Sequence, residues 1–271
     1  MVNILISGYY GFDNIGDESI LRTLVSSLRE HIPDCSLTVL SHNPASTREK
    51  YGVEAVDRMS PMAILRAVKK CDMLISGGGS LLQDVTSSKS LHYYLSIIRC
   101  AEFFHKKVFI YSQGIGPIDR PGNRRAAAAA LKRADGIVVR DERSAALLEE
   151  IGIARDKVVI TADPVIRMKK PDGDVGAEIL RKAGVSLDGR LTVGWAIRER
   201  DTDSRFVKEL LRSIQMMKDK YNAQSVLIPF HYEEDGEVCR HIAAQLPDDT
   251  AVCLNEKYLS EDMLSIIGNM D

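Results

Sequence analysis

Short β-branched runs alternate with longer amphipathic segments from one end of this 271-residue chain to the other. A strand buried on both faces reads as a short apolar run, and each crossover between parallel strands supplies a helix to cover it. The alternation therefore predicts an α/β fold on parallel sheets. The runs place strands at 3–7, 36–40, 53–56, 73–76, 108–112, 136–140 and 158–161. Ser60-Pro61 pairs an N-cap with a proline at the first helical position and predicts a helix through Cys71. Asp141 can cap a helix over 142–151 that Gly152 ends, and the alanine run at 126–130 favours helix.

After Asp163-Pro164 the pattern breaks into Met168-KKPDGDV-Gly176, where proline, glycines and charges predict a linker at 166–173 between domains 1–165 and 174–271. Alternation then restarts, with helices near 175–183, 203–221 and 234–246 and from Ser260, and strands at 191–197, 225–230 and 250–254. Three strands are fewer than the roughly five of an ordinary sheet, so the natural polypeptide is expected to continue past Asp271.

Charge and cysteine usage narrow the function classes. Lys and Arg number 36 against 38 Asp and Glu, a net charge of −2, which disfavours nucleic acid as the main partner. No stretch approaches the about 20 apolar residues that cross a bilayer, and the N-terminus lacks a basic leader region, so a cytoplasmic protein is expected. Five scattered cysteines without a Cys-x-x-Cys pair fit neither a disulfide framework nor zinc, and no two histidines have ligand spacing, so no metal is expected.

In open parallel sheets, ligands bind beyond the carboxyl ends of the strands, where loops and helix N-termini present backbone N–H groups. Glycine-bearing loops fall there: Gly8-YYGFDNIGDE-Ser19, Ser76-GGGSLLQ-Asp84 and Ser112-QGIG-Pro117. The first is not a G-x-G-x-x-G loop, so the dinucleotide fingerprint of an oxidoreductase is missing. Asp17 and Glu18 read first as complements to a helix start, whereas for Asp13 and Asn14 capping and substrate contact stand side by side. Consecutive glycines at 77–79 imply close approach of either a neighbouring element or a ligand. Gln113 offers an amide in the third loop. Arg140, at a strand end, can fork onto a carboxylate or phosphate or pair with Asp141 on the surface. In the second domain, strand ends carry Arg198 and Arg200, and then His231 with Glu233, Glu234 and Asp235. His231 is the histidine read at a strand end; His31, His92, His105 and His241 fall in helical patterns.

Taken in order and spacing, GYYGFDNIGDESIL, ISGGGSLLQD, YSQGIGPI, VVRDERS and TADP resemble the polysaccharide pyruvyl transferase family, most closely its CsaB type, over essentially the whole chain. The resemblance implies a GT-B-like fold: two Rossmann-like domains facing across a cleft, the first on the acceptor side and the second, incomplete here, on the donor side. It implies transfer of a pyruvyl group from phosphoenolpyruvate to two hydroxyls of an N-acetylmannosamine residue, forming a cyclic ketal and releasing phosphate. The acceptor would be a lipid-linked disaccharide precursor of a secondary cell-wall polysaccharide that anchors the S-layer, met at the inner membrane face by peripheral contact. Phosphoenolpyruvate is a co-substrate, and no metal or organic cofactor is implied.

Phosphoenolpyruvate is a compact trianion, and attack at its C2 needs a proton for the methylene and a base for the hydroxyl. The residues present assign Arg140 to an anionic group of the donor, with Arg143 and Arg198 as alternates, and Asp13 to the sugar hydroxyl or its proton. Asn14, Gly16, Asp17, Gly77, Gly78, Gly79, Gln113, Asp163 and His231 would line the substrates. The family's Arg-Leu-His segment, whose histidine would be the acid, is absent up to Asp271. A nucleotide-sugar glycosyltransferase and a catalytically inactive sugar-binding protein are the other readings the same motifs allow.

Overall fold

The apolar runs form parallel strands, of which the innermost are covered on both faces and the outer ones on one. The computed structural model describes residues 1–199 and 201–271; Arg200, read above at a strand end, lies outside the described residues. Contacts divide the chain into a unit of Met1–Phe12 with Asp17–Met168 and a unit of Asp13–Gly16 with Lys169–Asp271.

The first unit runs β1 (Val2–Tyr10), α1 (Ile15–His31), β2 (Cys35–Ser41), α2 (Pro44–Tyr51), β3 (Glu54–Asp57), α3 (Pro61–Lys70), β4 (Met73–Gly77), α4 (Ser88–Phe103), β5 (Lys107–Gln113), α5 (Pro121–Leu131), β6 (Gly136–Val139), α6 (Glu142–Glu150) and β7 (Val158–Ile160). Its strands form one seven-stranded sheet in the order β3-β2-β1-β4-β5-β6-β7, every pairing parallel. Reversal of strand order at β1 and β4 makes this a doubly wound sheet, whose ligands are met at the carboxyl edge. Ile4, Leu5 and Ile6 of β1 are at most 1% exposed, as a strand covered on both faces requires.

β1 outruns the sequence expectation, which ended it at Ser7. Its register with β2 shifts between Ser7 and Tyr10, and Tyr10 then pairs with Ser41. The Tyr10 ring is 1% exposed and its hydroxyl donates to the Gly77 carbonyl at 2.8 Å, so buried packing keeps the Gly-Tyr-Tyr segment extended where Gly8 alone reads as a breaker. Local capping follows the sequence: Ser60 Oγ accepts from Ala63 N–H, and Asp141 Oδ1 accepts from Ser144 N–H. His105, expected within a helix, lies just past α4 with φ 55°.

Asp84 ties the second glycine loop to α5. Buried at 7% exposure, its carboxylate accepts from Asp119 N–H at 2.9 Å, Arg120 N–H at 3.1 Å and the Asn123 amide at 2.7 Å. Burial raises this carboxyl, but those bonds outweigh it and hold it below the usual carboxylate range. A lowered folded-state pKa contributes stability above the unfolded value of about 4, and the contribution is lost as pH falls through the folded value. Asp84→Ala is expected to cost roughly 2–3 kcal/mol near neutral pH by orphaning these donors, with the gap from wild type closing below about pH 4. Denaturant midpoints measured across that range check it; a pH-independent gap would contradict the assignment.

The second unit continues with α7 (Val175–Lys182), β8 (Thr192–Ile197), α8 (Arg205–Tyr221), β9 (Gln224–Pro229), α9 (Tyr232–Ala244), β10 (Ala251–Cys253) and α10 (Ser260–Ile267). Its three strands pair in parallel in the order β10-β9-β8. Val207, Leu210, Ile214 and Ile242 form a core beside Leu227, and Leu180, Met263 and Ile266 form another beside Val226 and Ile228. Residues 13–16, read from the sequence as part of the first domain, group here because Ile15 N–H donates to the Phe230 carbonyl at 3.0 Å and Asn14 bridges His231. Among the described residues, no helix is long and apolar enough to cross a membrane.

Candidate functional site

The three glycine loops of the first unit are laced side by side at the carboxyl edge of the large sheet. Gly78 N–H donates to the Tyr111 carbonyl at 2.9 Å, Gly114 N–H to Gly79 at 2.9 Å and Arg140 N–H to Gln113 at 3.2 Å, continuing strand-to-strand bonding past the sheet's end. An added Cβ at Gly79 would stand 2.9 Å from Asp17 Oδ1, so the carboxylate in the first turn of α1 closes onto the second loop.

β6 ends at Val139 and delivers Arg140 to the first position beyond the sheet. Its Nη1 donates to Asp163 Oδ2 at 2.8 Å and its Nη2 to Ser80 Oγ at 3.0 Å. Nε lies 3.9 Å from Asp141 Oδ2, so the adjacent aspartate is the looser partner. Asp141 instead caps α6, its Oδ1 accepting from Ser144 N–H and Oγ–H, each at 2.8 Å. Burial raises the Asp141 carboxyl, but the Ser144 bonds and the charges of Arg140 and Arg143 hold it below its ordinary value. Asp163 serves two partners, since Oδ1 also accepts from Val165 N–H at 3.1 Å. The Arg140 side chain keeps 30% exposure and further N–H donors on the same fork, which suits it to a carboxylate or phosphate. Arg143 is exposed on α6, outside this cluster.

Two expectations change. Gln113, read as lining an acceptor cleft, is wholly buried: its amide donates to the Ser76 carbonyl at 2.8 Å and Oγ at 2.9 Å, which bolts β5 to β4. Gly78, read as open to either a neighbour or a ligand, is pressed by a neighbour. An added Cβ would stand 2.0 Å from Ile20 Cγ2 of α1, at a backbone φ of 65° that side chains rarely adopt. Gly77 is likewise occupied by its carbonyl bond from Tyr10. Glu18 is buried and accepts from Gly11 N–H at 2.8 Å and from the Tyr51 hydroxyl, so it fastens the first loop.

In the second unit, Asp13, Asn14, Gly16 and His231 come together. Asp13 Oδ2 accepts from Lys257 Nζ at 3.1 Å, and the same ammonium lies 2.8 Å from Glu233 Oε1 and 5.7 Å from the Tyr232 ring centroid. Glu233 first and Asp13 second push the Lys257 ammonium above its ordinary pKa. No local sequence pattern marks Lys257, which stands in an irregular segment after β10. His231 caps α9: its Nδ1 accepts from Glu234 N–H at 3.3 Å while Asp235 Oδ2 accepts from His231 N–H at 2.7 Å. Burial pushes the Asp235 carboxyl up against the lowering effects of that bond, of His231 and of Arg198. Arg198 is exposed at the first position past β8.

Comparison with known proteins follows the same lines. A family model described as "Polysaccharide pyruvyl transferase" matches residues 14–271. The amylovoran biosynthesis protein AmsJ of Erwinia amylovora is 24% identical over 239 residues, which cover 73% of this chain and 57% of that protein. The chain thus matches under two thirds of that relative's length. Among solved structures, Anabaena HepE in complex with UDP-glucose superposes with a TM-score of 0.65 at 11% identity, over 100% of this chain and 72% of that one. The Escherichia coli ADP-heptose LPS heptosyltransferase II gives 0.52 at 14% identity, over 100% and 77%. These likenesses establish a GT-B-like α/β fold and nothing of the ligand.

Proposed function

The chain belongs to the polysaccharide pyruvyl transferase family, and we propose that it transfers a pyruvyl group from phosphoenolpyruvate to two hydroxyls of a sugar in a polysaccharide precursor. The observation that carries this reading is Arg140, a partly exposed guanidinium set among glycine loops at the carboxyl edge of a doubly wound sheet. An anionic donor needs such a fork.

In the proposed reaction, one sugar hydroxyl oxygen bonds to C2 of phosphoenolpyruvate as the methylene carbon takes a proton. The second hydroxyl then bonds to the same carbon and phosphate departs; of the two hydroxyl protons, one balances the proton taken by the methylene and the other leaves with the phosphate, and no water is consumed. Arg140 would hold the carboxylate or phosphate through this sequence. Asp13, whose Oδ2 lies 3.1 Å from Lys257 Nζ, would accept a hydroxyl proton. Following the CsaB likeness, the acceptor would be an N-acetylmannosamine residue of a lipid-linked disaccharide met at the cytoplasmic membrane face.

Phosphate release from phosphoenolpyruvate tests the proposal, with an N-acetylmannosamine-containing disaccharide as acceptor. Acceptor-dependent release is the expected result. Turnover of a nucleotide sugar without such release would move the protein to the glycosyltransferases; sugar binding with no turnover of either donor would make it a sugar-binding protein.

A further inference from the structure

The ends of β1, β2 and β3 carry a cluster that the reaction above leaves unused. Tyr9, Phe12 and His42 form one continuous ring stack: Tyr9 and Phe12 lie 4.0 Å apart at 6°, and Phe12 and His42 lie 4.4 Å apart at 4°. Phe12 is covered on both faces, and His42, the first residue past β2, is the exposed end. The apolar run of that strand stops at residue 40, so from the sequence His42 does not stand out as a strand-end histidine.

The backbone is built to hold this stack. Gly11 adopts φ 79°, and an added Cβ there would stand 2.2 Å from Ser41 Oγ and 2.6 Å from Asn43 N, so the loop lies flat against the end of β2. Glu18 takes the Gly11 N–H at 2.8 Å, and His42 N–H donates to the Tyr10 carbonyl at 2.9 Å. Arg58, the first residue past β3, is only 7% exposed. Its Nη1 donates to the Gly8 carbonyl at 2.9 Å and its Nη2 to the Tyr94 hydroxyl at 3.2 Å, while its Nε is buried without a partner. Its Cζ lies 5.1 Å from the Phe12 centroid, 5.7 Å from Tyr9 and 4.8 Å from Tyr93. A guanidinium buried among rings instead of against a carboxylate is costly and only partly offset by cation–π attraction. The arrangement spends that cost on fixing a loop whose outermost ring faces solvent.

We propose that the Tyr9–Phe12–His42 stack is a platform for the pyranose ring of the acceptor sugar. A pyranose presents a flat face of C–H groups that packs on an aromatic ring, with hydroxyls around its rim for hydrogen bonds. The His42 imidazole suits both demands, because it makes no side-chain hydrogen bond among the described residues. Phosphoenolpyruvate has no ring to stack, so the choice of a sugar rests on the pyruvyl-transfer reading.

The test reads binding as well as turnover. Saturation-transfer NMR of the protein with the methyl glycosides of N-acetylmannosamine, N-acetylglucosamine and galactose is expected to show transfer to pyranose C–H protons of at least one sugar. His42→Ala, at an exposed position, is expected to weaken that binding roughly fivefold or more, and His42→Phe to retain most of it. Equal binding by wild type and His42→Ala, absence of binding to any of the three sugars, or saturation by uridine monophosphate in their place would overturn the platform. Weakened sugar binding in His42→Ala without any phosphoenolpyruvate turnover by wild type would keep the platform and remove the pyruvyl-transfer reading. Turnover with an unchanged acceptor KM in His42→Ala would do the reverse.

Discussion

Arg140→Ala is expected to lower kcat/KM for phosphoenolpyruvate by at least about tenfold, or about 1.4 kcal/mol of transition-state stabilisation, in a protein that still melts cooperatively. The two halves of that expectation come from different features of the site. Loss of activity follows from removing a fork suited to a compact anion, which a point-charge lysine replaces only in part. Arg140→Lys should therefore recover some of the loss and not all of it. Retention of the fold follows from exposure: the Arg140–Asp163 pair is 30% and 37% exposed, and pairs so placed contribute about 0–1 kcal/mol. Asp163 also keeps its bond from Val165 N–H when the guanidinium is gone. Unchanged kinetics in the folded variant would remove Arg140 from the donor site.

Gly78→Val is expected to act on the whole first unit. Its Cβ would stand 2.0 Å from a branched methyl of Ile20, a residue 5% exposed in α1 whose stiff side chain has nowhere to turn. The positive φ adds backbone strain to the overpacking, and the two together should cost about 3–5 kcal/mol. From the sequence, a change at this position reads as damage to a ligand loop rather than to the fold. The contact with Ile20 reverses that expectation. Gly78→Ala should show a smaller loss of the same kind, and denaturant midpoints measure both. A valine variant with the wild-type midpoint would show that the helix can yield and that the glycine is there for another reason.

What the sequence made legible was set by range. The strands announce themselves because burial on both faces demands unbroken apolar runs, and caps such as Ser60 and Asp141 act within three residues of themselves. The reach of β1 to Tyr10 was not legible, since it depends on a hydroxyl bond to Gly77 across 67 residues. Arg140 was visible as an arginine at a strand end, but its choice of Asp163 over the adjacent Asp141 depends on β7 lying beside β6. Lys257 meets Asp13 across 244 residues, and no local pattern marks it. Gln113 and Gly78 were misread for one reason: glycine-rich loops look alike whether a side chain, a helix or a ligand fills the space beside them.

The direct measurement is the product. The protein, expressed from its complete gene, is incubated with phosphoenolpyruvate and an N-acetylmannosamine-containing disaccharide, and the sugar is analysed by mass spectrometry alongside phosphate release. The account predicts a sugar heavier by one pyruvate less one water, with one phosphate released for each ketal formed. Phosphate release with an unmodified sugar, or a sugar extended by a hexose from a nucleotide donor, would contradict it.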